Sequence, residues 1–113
     1  MPKRGERVAR PARKGEWELR HTGGSVDGWE QLCAQAPGPA GDAWDALSRD
    51  PFARSARQHP LHGALGRAFV GPRQLEQWQY EVTGAARIWY CADRQRKVVH
   101  LTMVSVGHPK ATE

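Results

Sequence analysis

The chain has 113 residues, a formal net charge of +5, 39% hydrophobic residues and five tryptophans. This length supports one domain with a modest core and is too short for two. No apolar run approaches the ~20 residues of a membrane-spanning helix, and the basic start lacks the apolar segment of a secretion signal, so we expect a cytoplasmic protein without membrane association.

The positive charge is concentrated at the N-terminus. Residues 1–20 carry seven Lys or Arg and three Glu, a net charge of +4, whereas the remaining residues carry ten basic and nine acidic side chains, a net charge of +1. A segment so rich in Arg, Lys, Gly and Pro favours disorder and attracts anionic surfaces such as nucleic acid; a solubilising tail is the alternative. We therefore predict a basic, flexible arm over residues 1–15 and one folded domain over residues 16–113.

The first half of the domain contains the signals of one strand and two helices. Residues 16–22 alternate, with Trp17 and Leu19 on one face, which predicts a strand. Apolar residues then recur at i, i+3, i+4 and i+7 in two segments, which predicts two short helices separated by the Pro-Gly-Pro at residues 37–39. The apolar positions are Trp29, Leu32, Cys33 and Ala36 in the first helix and Ala40, Ala43, Trp44 and Leu47 in the second.

The second half is rich in strand signals. Periodicity is lost over residues 50–71, so we predict a long connection there. Beyond it, residues 75–82 alternate between polar and apolar, residues 86–92 are rich in strand-forming side chains, and residues 98–106 form the longest apolar run. Short turns separate these segments, so the three strands should pair antiparallel.

The element order is therefore β-α-α-β-β-β, and we predict an α+β fold in which a helical hairpin packs on one face of a mainly antiparallel sheet. The other face of this sheet is left uncovered. If Ile88 and Tyr90 face the helices, Arg87, Trp89 and Cys91 point the opposite way. A charged residue at such a position needs a partner or a ligand, although a solvent-exposed arginine is the simpler alternative.

The last third of the chain contains a recognisable order of motifs. The Arg-x-x-Tyr at residues 87–90 follows a glycine-containing turn, a charged hairpin and an apolar strand come next, and the strand runs into the Gly-His-Pro-Lys at residues 107–110. This order, together with β-α-α-β-β-β over residues 16–110, resembles the RelE/ParE superfamily of bacterial toxins from toxin–antitoxin modules.

The resemblance implies one of two activities. RelE-like toxins enter the ribosomal A site and cut mRNA, leaving a 2′,3′-cyclic phosphate. We favour this branch, a ribosome-dependent endoribonuclease that inhibits translation, with the ribosome and mRNA as partners. ParE-like toxins instead inhibit DNA gyrase without cutting RNA, and a third alternative is an inactive relative that only binds partners. Toxins of both branches are held inactive by a cognate antitoxin protein, which we expect here as well.

The candidate site residues follow from the same resemblance. Arg87 occupies the position of the family's phosphate-binding arginine, and fixed guanidinium groups stabilise charge that develops on phosphate. His108 lies where some members place a catalytic histidine, and Pro109 keeps it extended at the end of the last strand. Histidine, with an unperturbed pKa of about 6.5, exchanges protons near neutral pH. We predict Arg87 and His108 as catalytic residues and expect four further residues to contact RNA, namely Arg67, Arg73, Trp89 and Lys110, with Trp89 stacking on a base.

The chain also departs from the family's pattern. Pro109 stands where RelE-like toxins carry a catalytic arginine, and the late tyrosine of many members is absent. The glutamate that serves as the base in some relatives has no clear counterpart, so His62, Glu81 or neither of them fills this role. His59 and His62 form an HxxH pair, but a zinc site needs three or four ligands. We therefore expect no metal and no small-molecule cofactor.

Overall fold

The computed structural model describes residue 11 and residues 13–107, so most of the predicted arm lies outside it. Two helices form one layer and six strands form the other. The elements are β1 (Glu18–His21), α1 (Val26–Gln35), α2 (Pro37–Arg49), β2 (Gln58–Pro60), a 3₁₀ helix (Gly63–Gly66), β3 (Arg67–Val70), β4 (Arg73–Glu81), β5 (Arg87–Asp93) and β6 (Val98–Ser105). The predicted α+β class is confirmed. In this part of the chain neither helix is long and apolar enough to span a membrane.

The strands form a mixed, mainly antiparallel sheet with the order β1-β6-β5-β4-β2, and β3 also pairs with β4. β1 runs parallel to β6, whereas the other pairs are antiparallel. Because consecutive strands joined by tight turns pair antiparallel, β4, β5 and β6 form the meander that their short turns predicted. β5 lies at the centre of the sheet, with a neighbour on each side.

The connection predicted over residues 50–71 is wrong in part, because it contains two strands and a 3₁₀ helix. β2 pairs with the end of β4, from Gln58 opposite Tyr80 to Pro60 opposite Trp78. β3 pairs with the beginning of the same strand. Strands of three and four residues are too short to show a period, and Pro60 is a residue that sheets accept at an edge. Pairing with β4, rather than local propensity, creates these strands.

The core lies between the helical hairpin and one face of the sheet. The predicted stripe of α1 faces the core, with Trp29, Cys33 and Ala36 partly buried against it. In α2, Ala40, Ala43 and Leu47 face the core as predicted, whereas Trp44 lines an open cavity between the helices. Pro37 is the first residue of α2, a position where its fixed φ and missing N–H are harmless. The buried core residues are Trp17, Leu32, Ala40, Ala43, Leu47, Trp78, Val82, Ala86, Ile88, Tyr90, Ala92, Val99, Leu101 and Val104.

Helix α1 passes very close to the sheet at Gly28. A Cβ atom added there would lie far inside the van der Waals contact distance of the Val104 carbonyl oxygen on β6. Only a residue without a side chain allows this approach, so Gly28 sets the spacing between the two layers at this point.

Tyr90 connects the buried face of the sheet to the segment that follows α2. Its side chain is fully buried, its hydroxyl donates to the Pro51 carbonyl (2.8 Å), and it accepts from Gln58 Nε2 (3.1 Å). Gln58 Nε2 also donates to the Asp50 carbonyl (3.0 Å). Burial raises the pKa of Tyr90, so the phenol stays protonated. These bonds hold β2 in place at the edge of the sheet.

Candidate functional site

The face of the sheet away from the helices carries two adjacent rows of side chains. Cross-strand partners share a face, and Trp89 on β5 lies opposite Gln79 on β4 and Met103 on β6. Two residues along the strand, Arg87 lies between Glu81 and Ser105 in the same way. Arg87 and Trp89 therefore point away from the core, as the alternation predicted. Arg87 is the first residue of β5, so this site lies at the end of the strand rather than at its middle.

These two rows form the floor of an open cavity of about 570 Å³. Its lining comes from β4, β5, β6, the turn between β4 and β5, and the residue Gly107 that follows β6, with no helical residue. The lining residues are Gln79, Gly84, Ala85, Arg87, Trp89, Met103, Ser105 and Gly107. The cavity therefore combines a cation, an amide and a hydroxyl with an aromatic ring and a thioether, a mixture that suits a nucleotide.

The guanidinium of Arg87 is held rigidly by the turn before β5. Nη1 donates to the carbonyls of Thr83 (2.8 Å) and Ala86 (3.0 Å), and Nη2 donates to that of Gly84 (3.2 Å). Glu81 Oε1 lies 3.6 Å from Nη2. A guanidinium has five N–H groups in a planar fork. Within residues 13–107, Nε donates no hydrogen bond and Nη2 donates one, so Nε–H and an Nη2–H are available to bind two oxygens of a phosphate.

Trp89 is oriented by a hydrogen bond across the strands. Its indole Nε1–H donates to Gln79 Oε1 at 2.9 Å. Both side chains are half-buried, so part of the Trp89 ring stays accessible. The predicted role of this ring in stacking stays a prediction, and the structure places it one row from Arg87, as that role requires.

His59 was not predicted as a site residue, and the strand pairing places it on this face. It lies opposite Gln79 in the β2–β4 pair, so it extends the row of Gln79 and Trp89 by one strand. Two strand spacings and two residues along the strand put its Cα roughly 12 Å from that of Arg87. His62 is exposed and precedes the 3₁₀ helix. No local pattern in the sequence indicates that His59, rather than His62, lies on this face of the sheet.

His108 and Lys110 lie outside the described residues, so their predicted roles stay predictions. The described chain ends at Gly107, which lines the cavity and has a φ of +114°. A Cβ atom added there would lie 2.8 Å from the Cβ of Ala85. Glycine is required for this close passage beside the turn that holds Arg87, and His108 directly follows it in the sequence.

Arg73 is the first residue of β4. Its Nη1 contacts Asp93 Oδ2 at 2.5 Å, at the far end of β5 from Arg87. Six residues of strand separate the two ends of β5, which is roughly 20 Å. Burial favours a higher pKa for Asp93, but N–H donors of Arg96 and Arg73 outweigh it and hold the pKa below its usual range.

Arg67 is exposed and lies opposite Glu76, whose carboxylate accepts a hydrogen bond from Trp78 Nε1 on the core side of β4. The structure therefore brings Arg67 to the helical side and does not place it in the cavity with Arg87. Within residues 13–107, no group of His, Cys, Asp or Glu has a geometry that could hold a metal ion.

A second open cavity, of about 640 Å³, lies on the helical side between α1 and α2. Trp29 and Trp44 form its walls, and Glu30 is the titratable carboxylate in its lining. The larger volume does not identify a binding site for phosphate, because the lining of this cavity contains no cationic side chain, whereas the cavity on the sheet face contains Arg87. The sheet face is therefore the candidate functional site.

No protein-family model and no curated protein sequence shows a significant match to the chain. Solved structures do match its fold. A YoeB/ParE toxin from Agrobacterium tumefaciens superimposes with a TM-score of 0.60 at 20% identity, covering 81% of this chain and 99% of that one. The toxin–antitoxin complex RelBE2 from Mycobacterium tuberculosis gives a TM-score of 0.53 at 19% identity, covering 80% of this chain and 96% of the matched chain. The archaeal RelE–RelB complex from Pyrococcus horikoshii gives a TM-score of 0.57 at 16% identity, covering 79% of this chain and 92% of the matched chain. The chain therefore has the RelE/ParE fold, which confirms the resemblance at the level of the fold.

Proposed function

We propose that this protein is the toxin of a toxin–antitoxin pair and that it cleaves mRNA in the ribosomal A site. The observation that carries the proposal is the open donor pair of Arg87, held by backbone carbonyls at the edge of a cavity that also contains Trp89. A rigid guanidinium beside an accessible aromatic ring suits a phosphate with its attached base. The RelE/ParE fold supports the same reading.

The charge distribution along the chain supports an anionic ligand such as RNA. Residues 51–107 carry eight Lys or Arg and three acidic side chains, a net charge of +5. Residues 26–50, which include both helices, carry one Arg and five acidic side chains, a net charge of −4. An anionic strand is therefore attracted to the strand-containing part of the chain and repelled from the two helices.

The reaction requires three changes at one phosphate. The 2′-oxygen loses a proton and forms a bond to phosphorus, the bond from phosphorus to the 5′-oxygen breaks, and the 5′-oxygen gains a proton. The products are a 2′,3′-cyclic phosphate and a free 5′-hydroxyl. The Nε–H and Nη2–H of Arg87 stabilise the extra negative charge on the phosphate oxygens in the transition state. Because the turn carbonyls already hold this side chain, little reorganisation is needed during the reaction.

His59 and His108 are the proposed proton-transfer groups, one taking the 2′-OH proton and the other donating to the 5′-oxygen. An imidazole has an unperturbed pKa near the operating pH, which favours proton transfer in both directions. Glu81 is the less suitable base because its carboxylate is 3.6 Å from the Arg87 guanidinium, whose charge it partly neutralises. Lys110 and Arg73 would contact backbone phosphates on either side of the cleaved bond, with Arg73 about 20 Å away along β5.

The proposed partner protein is a cognate antitoxin. The structures from Mycobacterium tuberculosis and Pyrococcus horikoshii are described as toxin–antitoxin complexes, and one from Staphylococcus aureus as a YoeB–YefM heterotetramer. An antitoxin that covers the sheet face would block access of RNA to Arg87 and so inhibit the enzyme.

The decisive experiment incubates the purified protein with 70S ribosomes programmed with a defined mRNA. We expect a cut within the A-site codon, a 2′,3′-cyclic phosphate on the upstream fragment and little cleavage of the same mRNA without ribosomes. Intact mRNA in the presence of folded protein would contradict the proposal. A supercoiling assay with DNA gyrase would then test the ParE-like activity.

His59 and His62 provide a matched pair of variants for this assay. We expect His59→Ala to slow cleavage at least a hundredfold, since loss of a general acid or base costs about 10²–10⁴ in rate. His62→Ala should change the rate less than about twofold, because substitution of an exposed residue usually has little effect. Single-turnover cleavage rates and thermal unfolding should be measured for both variants.

The two histidines are three residues apart and His62 is exposed, so the pair separates a chemical role from a general effect on the β2 region. Equal rates in the two variants would exclude His59 as a proton-transfer group. If His59→Ala were slow only because it unfolded, its melting temperature would fall well below that of His62→Ala.

A further inference from the structure

The amide of Gln79 has a defined orientation within the candidate site. An indole N–H can only donate a hydrogen bond, so the Gln79 atom 2.9 Å from Trp89 Nε1 must be the carbonyl oxygen. The usual ambiguity between the oxygen and nitrogen of a glutamine is therefore removed by chemistry. The amide nitrogen, Nε2, must lie on the other side of the group.

Nε2 of Gln79 has two N–H groups and makes no hydrogen bond within the described residues. Among the described residues, no buried side-chain nitrogen or oxygen lacks a hydrogen-bond partner, so Nε2 cannot be buried. Nε2 therefore reaches solvent, and Gln79 lines the cavity of Arg87 and Trp89. The oxygen already accepts a hydrogen bond from Trp89, so the two N–H groups of Nε2 are the unengaged donors that Gln79 offers to a ligand.

Trp89 and Met103 lie beside Gln79 in one row and provide an apolar surface on which a base can stack. The row of Arg87 lies two residues away along the strands, about 7 Å. A nucleotide bound by its phosphate to Arg87 can therefore place its base against Trp89, with an edge of the base directed towards Gln79 Nε2.

We propose that Gln79 is a specificity-determining residue that makes this site select keto bases, guanine and uracil, over amino bases, adenine and cytosine. Guanine O6 and uracil O4 are acceptors and complement the N–H groups of Nε2, whereas the amino groups of adenine and cytosine are donors and oppose them. When an amino group faces Nε2, both donors lack an acceptor, and an unmade hydrogen bond costs more free energy than a made one contributes. This inference rests on the proposed function only in taking RNA as the ligand.

Binding of short labelled oligoribonucleotides, followed by fluorescence anisotropy, tests the proposal without any cleavage step. Oligouridine and oligocytidine differ mainly in the keto or amino group at position 4, and oligoinosine and oligoadenosine differ similarly at position 6. We expect the wild-type protein to bind the keto member of each pair about fivefold more tightly, the effect of one hydrogen bond.

Gln79→Glu provides the specific test. One carboxylate oxygen can keep the bond to Trp89, while the other becomes an acceptor in place of Nε2. We therefore expect the preference to invert, with the amino member of each pair bound about fivefold more tightly. Trp89→Phe keeps an aromatic surface but removes the indole N–H, so Gln79 can reverse its amide and the preference should fall to about one.

Arg87→Lys serves as the control, because it alters the phosphate contact and should weaken all four oligonucleotides by the same factor. Equal wild-type affinities within each pair would overturn the proposal, as would absence of binding or a preference unchanged in Gln79→Glu. Ribosome-dependent cleavage with no base preference would leave the proposed function intact and remove this inference. A base preference in binding without any cleavage would leave this inference intact and remove the proposed function.

Discussion

Replacement of Arg87 by lysine should reduce ribosome-dependent cleavage about a thousandfold, the size of effect seen when a transition-state donor is removed. Lysine keeps the positive charge, but it has no planar pair of donors that could match two phosphate oxygens. It also cannot reproduce the three bonds to the turn carbonyls that hold the guanidinium in place. The measurement is the single-turnover rate of A-site cleavage, with the free energy of unfolding determined for the same sample.

Arg57 is the matched control for this substitution. Its Nη1 donates to the carbonyls of Glu81 (3.2 Å) and Val82 (3.3 Å), so it also holds the end of β4. It lies beside a different cavity, formed with Tyr80 and residues of α2, and not beside Arg87. Arg57→Lys should lower the free energy of unfolding by about 1 kcal/mol, as expected for a few exposed hydrogen bonds, and leave cleavage nearly unchanged. Similar losses of cleavage in both variants would show that Arg87 acts by supporting the turn rather than by binding phosphate.

Substitution of Gly28 by alanine should destabilise the protein by about 3 kcal/mol, the upper part of the range for an added methyl group in a closed space. Within a helix alanine is normally favoured over glycine by about 1 kcal/mol. At Gly28 the added Cβ would instead meet the backbone carbonyl of Val104 on β6, which cannot move without breaking the sheet. Urea unfolding followed by tryptophan fluorescence would measure the effect.

Gly41 in α2 is the control position, because no atom lies within 4 Å of a Cβ added there. Gly41→Ala should stabilise the protein by about 0.5–1 kcal/mol, the ordinary gain from removing a helical glycine. The two variants carry the same chemical change on neighbouring helices, so opposite signs would isolate the contact between α1 and β6. A stabilised Gly28→Ala variant would be incompatible with the close approach of these elements.

Local sequence patterns were sufficient for the parts of this protein whose interactions repeat along one element. The stripe around Leu32 and Leu47 predicted both helices, because the 3.6-residue period of a helix is repeated over enough residues to be read. The alternation around Ile88 and Tyr90 likewise predicted that Arg87 and Trp89 leave the core together, because successive side chains of a strand point to opposite faces. The α+β class followed from the order of these elements.

The remaining features were decided by contacts between distant segments. β2 and β3 exist because β4 offers them an unpaired edge, and Tyr90 and Gln58 hold β2 there. That pairing places His59 in the row of Trp89, and the same strand register separates Arg73 from Arg87 by the length of β5. A cross-strand neighbour is set by the fold and has no fixed spacing in the sequence. The sequence therefore determines the chemistry of the individual residues, whereas the tertiary structure decides which of them come together in one site.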